Sequence, residues 1–160
     1  VRILGIDCGT ERTGFGVIES DGKRHFHLGS VVVRTDPRSP MADRLLVIVQ
    51  SLRQFIQSHS PECAVIEEVF AAKNQQSALK LAQVRGAAMV AARELGLAVH
   101  EYSPREIKLA VVGHGNAEKL QVQHMVKALL ALPVAPAADA ADALGAAICH
   151  AVNRELRKIY

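Results

Sequence analysis

Residues 2–34 hold three β-rich runs joined by turns too short to carry a crossover, and that arrangement constrains the fold more than any other feature. Arg2–Cys8 is almost free of charge and stops at Gly9. Gly14–Glu19 alternates around Phe15, Val17 and Ile18, and Asp21-Gly22 is a strong hairpin turn. His25–Arg34 closes on Val31, Val32 and Val33. Short turns make neighbouring strands antiparallel, so the chain begins with a three-stranded meander.

The period then changes. Pro37 and Pro40 break the strand pattern, and Leu45, Leu46, Ile48, Val49, Leu52, Phe55 and Ile56 recur at helical spacing up to Ser60-Pro61. Cys63–Glu67 is a fourth strand. Ser77–Leu95 is an Ala-rich helix, apolar around most of its circumference and therefore expected to be largely buried. Leu97–Tyr102 is a fifth strand. Ser103 caps a helix with Pro104 at its first position. Gly113-His114-Gly115-Asn116 interrupts that pattern, Glu118–Ala131 resumes it, and a Pro/Ala linker precedes a last helix over about Asp139–Arg157.

A meander followed by alternating helices and strands predicts an α/β fold with a five-stranded mixed sheet flanked by helices. Strands four and five follow helices, so right-handed crossovers lay them parallel to the first. The 160 residues suffice for a single domain over 1–160 with a sizeable core. No apolar run approaches the ~18 residues that span a bilayer, and the first residues lack the pattern of a signal peptide. Cys8, Cys63 and Cys149 are odd in number, far apart and form no Cys-x-x-Cys pair. Neither a disulfide framework nor a thiolate zinc site is expected, and a reducing, cytoplasmic location is.

The 19 Lys and Arg exceed the 16 Asp and Glu by only three, too few to name a partner. Their distribution is uneven: Ala71–Leu130 holds eight basic residues against four acidic ones. Such a segment reads as solvated helix faces or as a surface for a polyanion.

Three acidic sites stand where chains avoid charge. Asp7 closes the apolar run Ile3-Leu4-Gly5-Ile6, and Glu67 closes Ala64-Val65-Ile66. Asp139 and Asp142, three apart in an uncharged alanine stretch, share one face of a helix's first turn. In parallel strands the C-terminal ends lie at one sheet edge, where ligand sites of open α/β sheets form. Asp7 and Glu67 become neighbours there, and the last helix can bring Asp139 and Asp142 to them. Clustered carboxylates raise one another's pKa values. An all-oxygen set of this kind suits Mg²⁺ or Mn²⁺ rather than zinc. The plainer readings are a capping box at Asp139 and a turn cap at Asp7, and strand alternation alone leaves Glu67 and Glu68 as equal candidates.

These segments together resemble the RuvC family, Holliday-junction endonucleases of the ribonuclease H-like superfamily. The resemblance rests on Ile3-Leu4-Gly5-Ile6-Asp7 with Thr13-Gly14-Phe15-Gly16, and on Ile66-Glu67-Glu68-Val69-Phe70 with Ala72-Lys73-Asn74 and Arg85-Gly86. It rests equally on Val111-Val112-Gly113 with Ala117-Glu118-Lys119, and on Ala138-Asp139-Ala140-Ala141-Asp142. It implies a ribonuclease H-like fold and a homodimer that binds four-way junction DNA. Such a dimer nicks two strands of like polarity, in recombination and repair, alongside the branch-migration proteins RuvA and RuvB. It implies a Mg²⁺-dependent site, with Mn²⁺ able to substitute and two ions per site, in which hydrolysis leaves a 5′ phosphate. The metal ligands fall on Asp7, Glu67, Asp139 and Asp142, which selects Glu67 over Glu68. Lys119 joins the catalytic set, Lys108 and Lys119 face DNA, and Phe70 stacks at the junction centre. Cys8 and Glu68 depart from the proline and glutamine usual in relatives. The competing readings are a ribonuclease H-like nuclease acting on RNA or other branched DNA, an ATPase with an actin-type phosphate loop, and a junction binder without chemistry.

Overall fold

A computed structural model of the chain describes residues 1–69 and 74–156, with the side chains of 155 and 156 outside the description. Among these residues run β1 (Arg2–Asp7), β2 (Arg12–Ser20), β3 (His25–Arg34), α1 (Met41–His59), β4 (Cys63–Glu67), α2 (Gln75–Glu94), β5 (Ala98–Tyr102), α3 (Pro104–Val112), α4 (Lys119–Leu129) and α5 (Ala138–Leu156). The sheet order is β3-β2-β1-β4-β5. β1, β2 and β3 are antiparallel neighbours, while β4 pairs parallel with both β1 and β5. The meander and both crossovers thus run as the turn lengths and helix–strand alternation require.

Strand alternation divides the core in two. Leu4, Ile6, Phe15, Val17, Ala64 and Ile66 pack against α1 and α2, chiefly on Ile48, Leu52, Val84 and Ala88. Ile3, Ile18, Cys63, Val65 and Tyr102 face the opposite layer of α3, α4 and α5. β1 and β4 are buried on both faces, which is why each reads as a continuous apolar run and not as an alternation.

One expectation from the sequence fails. Within α2 only Val84, Ala88, Ala91 and Ala92 are buried, and Leu79 and Val90 are exposed. The large apolar residues left in water are Leu79 and Val90, while Ala88, Ala91 and Ala92 are buried. The helical wheel marks which faces are apolar and not whether another element covers each one. An Ala-rich circumference therefore does not require burial on every side.

The helix limits follow local chemistry. Ser103 and Glu106 form the reciprocal capping box that starts α3, with Ser103 N–H donating to Glu106 Oε2 at 2.8 Å. Gly113 adopts φ 93° at the end of α3, a left-handed conformation that ordinary residues avoid. At the start of α4, Glu118 N–H donates to Gln121 Oε1 at 2.8 Å, fixing Lys119 as the first helical residue. No helix among the described residues is long and apolar enough to cross a membrane.

Candidate active site

The side of the sheet that α5 covers determines which carboxylates meet. Ile3 belongs to the α5 layer, and alternation puts Gly5 and Asp7 on the same side. Cys63 and Val65 belong to that layer too, so Glu67, the last residue of β4, follows them. Packing thus puts Glu67 on the α5 side of the sheet with Asp7.

Helix α5 approaches this face more closely than side chains permit. A Cβ on Gly5 would lie 1.7 Å from the Ala143 carbonyl oxygen, and one on Gly14 would lie 2.0 Å from that of Asp139. Gly14 is also the register partner of Asp7. The glycines therefore seat the first turns of α5 directly on β1 and β2, beside Asp7. Strand-end carboxylates and helix-start carboxylates converge through this seat.

Electrostatics report the convergence. Burial first, then Asp142, Glu67 and Asp139 in that order, push the Asp7 carboxyl up to about 8. Burial and then Asp142 raise Glu67 above the usual carboxylate range. Burial raises Asp142 as well, against the opposing hydrogen bond from Lys119. Lys119 Nζ stands 3.0 Å from Asp142 Oδ2, and this contact raises the lysine's own pKa. The Asp142 carboxylate is thereby committed to an ion pair, not to capping its helix.

One cleft is lined by Glu67, Asp142, Lys108 and Lys119 over Pro104 and Ile107. An adjoining cleft is lined by Asp7, Cys8, Glu67, Glu68 and Val69, with Glu67 and Pro104 common to both. Lys108 acts on Glu67 and Asp142 in the direction that favours their ionised forms. Phe70 lies outside the described residues.

The donor set fits a hard divalent cation. Asp7, Glu67, Asp139 and Asp142 offer only oxygen. The raised proton affinities of Asp7, Glu67 and Asp142 are the penalty that a cation removes, and the Lys119 ammonium already offsets part of it at Asp142. The group is not drawn into a closed cage: among the described residues no three carboxylates bring oxygens all within 4.8 Å of one another. Burial pushes the half-buried Cys8 thiol up to about 12, and Asp7 adds to the shift, so Cys8 is no nucleophile here. The Glu68 backbone N–H donates to the Tyr102 carbonyl at 2.8 Å, which continues the β4–β5 pairing past Glu67.

The family model for the crossover junction endodeoxyribonuclease RuvC matches residues 3–150. The chain belongs to the RuvC family. It is 48% identical over 158 residues to the RuvC of Citrifermentans bemidjiense, covering 99% of this chain and 96% of the relative. It is 55% identical over 149 residues to that of Marinobacter nauticus, covering 93% and 85%. It superposes with a TM-score of 0.92 on Thermus thermophilus RuvC solved in complex with a Holliday junction substrate, at 34% identity and with 98% and 96% of the two chains covered. The observed five-stranded sheet and helix order are those of the ribonuclease H-like RuvC fold.

One ion pair close to the RuvC site was not singled out from sequence. Arg85 of α2 pairs with Glu101 of β5, and its charge acts on Cys8. Their separation of sixteen positions gives no local motif. Only the three-dimensional pairing of α2 with β5 shows it.

Proposed function

We propose that this protein is a crossover junction endodeoxyribonuclease that resolves four-way DNA junctions, and that Asp7, Glu67, Asp139 and Asp142 hold its divalent metal. The observation that carries the reading is the convergence of Asp7, Glu67 and Asp142 on the α5 side of the sheet beside Lys108 and Lys119, in a chain matched to RuvC over residues 3–150. Mg²⁺ fits this oxygen-only set, with Mn²⁺ able to substitute, and two ions fit the canonical phosphodiester chemistry. Divalent cations bound there supply an activated water and neutralise charge on the leaving oxygen.

The chain's own residues do the rest. Asp7 and Glu67 must lose the protons that burial favours, and so couple activity to metal loading. Lys119, with its side chain 60% exposed, can leave Asp142 to meet a phosphate oxygen once a cation takes over that carboxylate. Lys108 holds the adjoining stretch of backbone. Phe70 stacks on a base at the junction centre in this reading.

The full reading is a single nuclease domain over residues 1–160 working as a homodimer, each protomer nicking one of two strands of like polarity. The exposed Leu79 and Val90 of α2 and Leu120 and Leu129 of α4 are candidate dimer surface. RuvA and RuvB are the expected companions, and the cytoplasm the expected location.

Asp7→Asn tests the mechanism: junction binding is retained and cleavage in Mg²⁺ is lost. Unchanged cleavage overturns the metal assignment. A panel of four-way DNA junction, linear duplex and RNA–DNA hybrid tests the substrate. Preferential cleavage of the hybrid transfers the reading to an RNA nuclease of the same fold.

A further inference from the structure

At the opposite end of the sheet from the carboxylates, Cys63, His100 and His150 place one ligand atom each within 4.8 Å of one another. Cys63 opens β4 and His100 sits mid-way along β5. His150 lies two turns beyond Asp142 on α5. Cys63 and His150 are buried, and the His100 and His150 rings lie 4.3 Å apart between centroids. The trio faces a cleft bordered by Glu62, Tyr102 and Arg154.

We propose that Cys63, His100 and His150 form a second metal site, specific for Zn²⁺ or a similarly soft divalent ion and separate from the Mg²⁺ site. One thiolate and two imidazoles are zinc ligands and poor ligands for Mg²⁺. Zinc bonds of about 2.0–2.3 Å set tetrahedral ligand atoms roughly 3.4–3.8 Å apart, so the trio, within 4.8 Å of one another, needs at most about 1.4 Å of closure. The open fourth position faces the cleft. Tyr102 supplies the orienting contact that metal-bound histidines use: its hydroxyl lies 3.0 Å from His150 Nδ1. Burial makes the Cys63 thiol a reluctant acid, and the nearby Arg154 acts in the direction of the thiolate that a metal requires.

The site's position gives it a role. Glu67 is four residues from Cys63 along β4, about 13 Å. Asp142 is eight residues from His150 along α5, about 12 Å. The same strand and helix therefore frame both sites, one at each end. A metal at Cys63, His100 and His150 pins α5 in register on β4 and β5, and so holds Asp139 and Asp142 opposite Asp7 and Glu67.

Co²⁺ added to the full-length protein in saturating Mg²⁺ reads the site directly, because only a thiolate ligand gives an intense sulfur-to-cobalt charge-transfer band in the near ultraviolet. The expected result is one equivalent of Co²⁺ with that band, displaced by Zn²⁺ and not by further Mg²⁺. Zn²⁺ raises the melting temperature of the wild type under the same conditions. Cys63→Ser removes the band and weakens Zn²⁺ at least tenfold, and His100→Gln weakens it similarly while Asp7→Asn leaves it unchanged. A wild type that shows no charge-transfer band overturns the proposal without reference to any variant. Zn²⁺ binding that survives Cys63→Ser and is lost in Asp7→Asn overturns it as well, and assigns the ion to the carboxylates.

Discussion

Replacing Asp7 by asparagine removes a charge and little volume, and the structure says what that is worth to the metal-free fold. The carboxyl moves from 3.8 to about 8, with burial the largest cause and its carboxylate neighbours next. A folded-state pKa above the unfolded one means that the native state holds the proton more tightly. The associated stability is therefore complete below pH 3.8 and is lost as pH rises toward 8. Each pH unit in that window is worth about 1.4 kcal/mol. Asparagine stays neutral at every pH and escapes the loss. In the presence of a chelator, Asp7→Asn should match the wild type near pH 4, exceed it by up to about 4 kcal/mol at pH 7, and level off above pH 8. Urea denaturation of both proteins at each pH unit measures the difference. Added Mg²⁺ should narrow the difference at pH 8, stabilising the wild type and not the variant. A difference that stays flat between pH 5 and pH 8 would refute the claim that burial and neighbouring carboxylates hold Asp7 neutral.

Four further substitutions probe other parts of the same argument. Lys119→Ala should make junction binding less salt-dependent, reducing the log–log slope by about 0.9, as measured by fluorescence anisotropy across a salt series; an unchanged slope returns Lys119 to a purely internal partner of Asp142. Gly5→Ala forces α5 off β1, since the new Cβ would lie 1.7 Å from a backbone oxygen; it should lower stability by about 3 kcal/mol or more in urea and abolish cleavage. Gly86→Ala, with open space around the added carbon, should instead add up to about 1 kcal/mol to α2. Ser103→Ala breaks the capping box of α3 and should cost about 1 kcal/mol by thermal denaturation, with a modest loss of junction affinity through Lys108.

Much of this architecture is legible in the residues themselves. Asp21-Gly22 fixes the hairpin, and Ser103-Pro104 fixes a helix start. A charge ending an apolar run marks Asp7 and Glu67 as exceptional. What could not be read is parity. β4 is buried on both faces up to Ile66, so Cys63–Ile66 is apolar throughout and carries no period-2 signal to separate Glu67 from Glu68. The answer lies in which face α5 covers, a tertiary fact. Gly5 and Gly14 were similarly mute, because a glycine in a strand can mark a bulge, a bend or a close approach. The buried face of α2 was overestimated because an apolar circumference does not say which faces other elements cover, and Leu79 and Val90 stay exposed. Cys63, His100 and His150 were invisible for a different reason. The absence of a Cys-x-x-Cys pair argues against zinc sites built on one loop, whereas these three residues come from two strands and a helix.

The same tertiary facts explain how a chain with an excess of only three basic residues is suited to DNA. The acidic residues are not spread evenly over the surface. Asp7, Glu67 and Asp142 are withdrawn into a cleft where burial and repulsion favour protons or cations over free negative charge. Lys108 and Lys119 stand at its rim. With protons or metal on the carboxylates, a phosphate approaching the cleft meets chiefly the lysines, and the field there is more positive than the net charge implies. A chain that merely bound DNA would gain nothing from half-burying three mutually repelling carboxylates. Their burial is the feature that a DNA-binding surface alone leaves unexplained and that a metal-dependent nuclease requires.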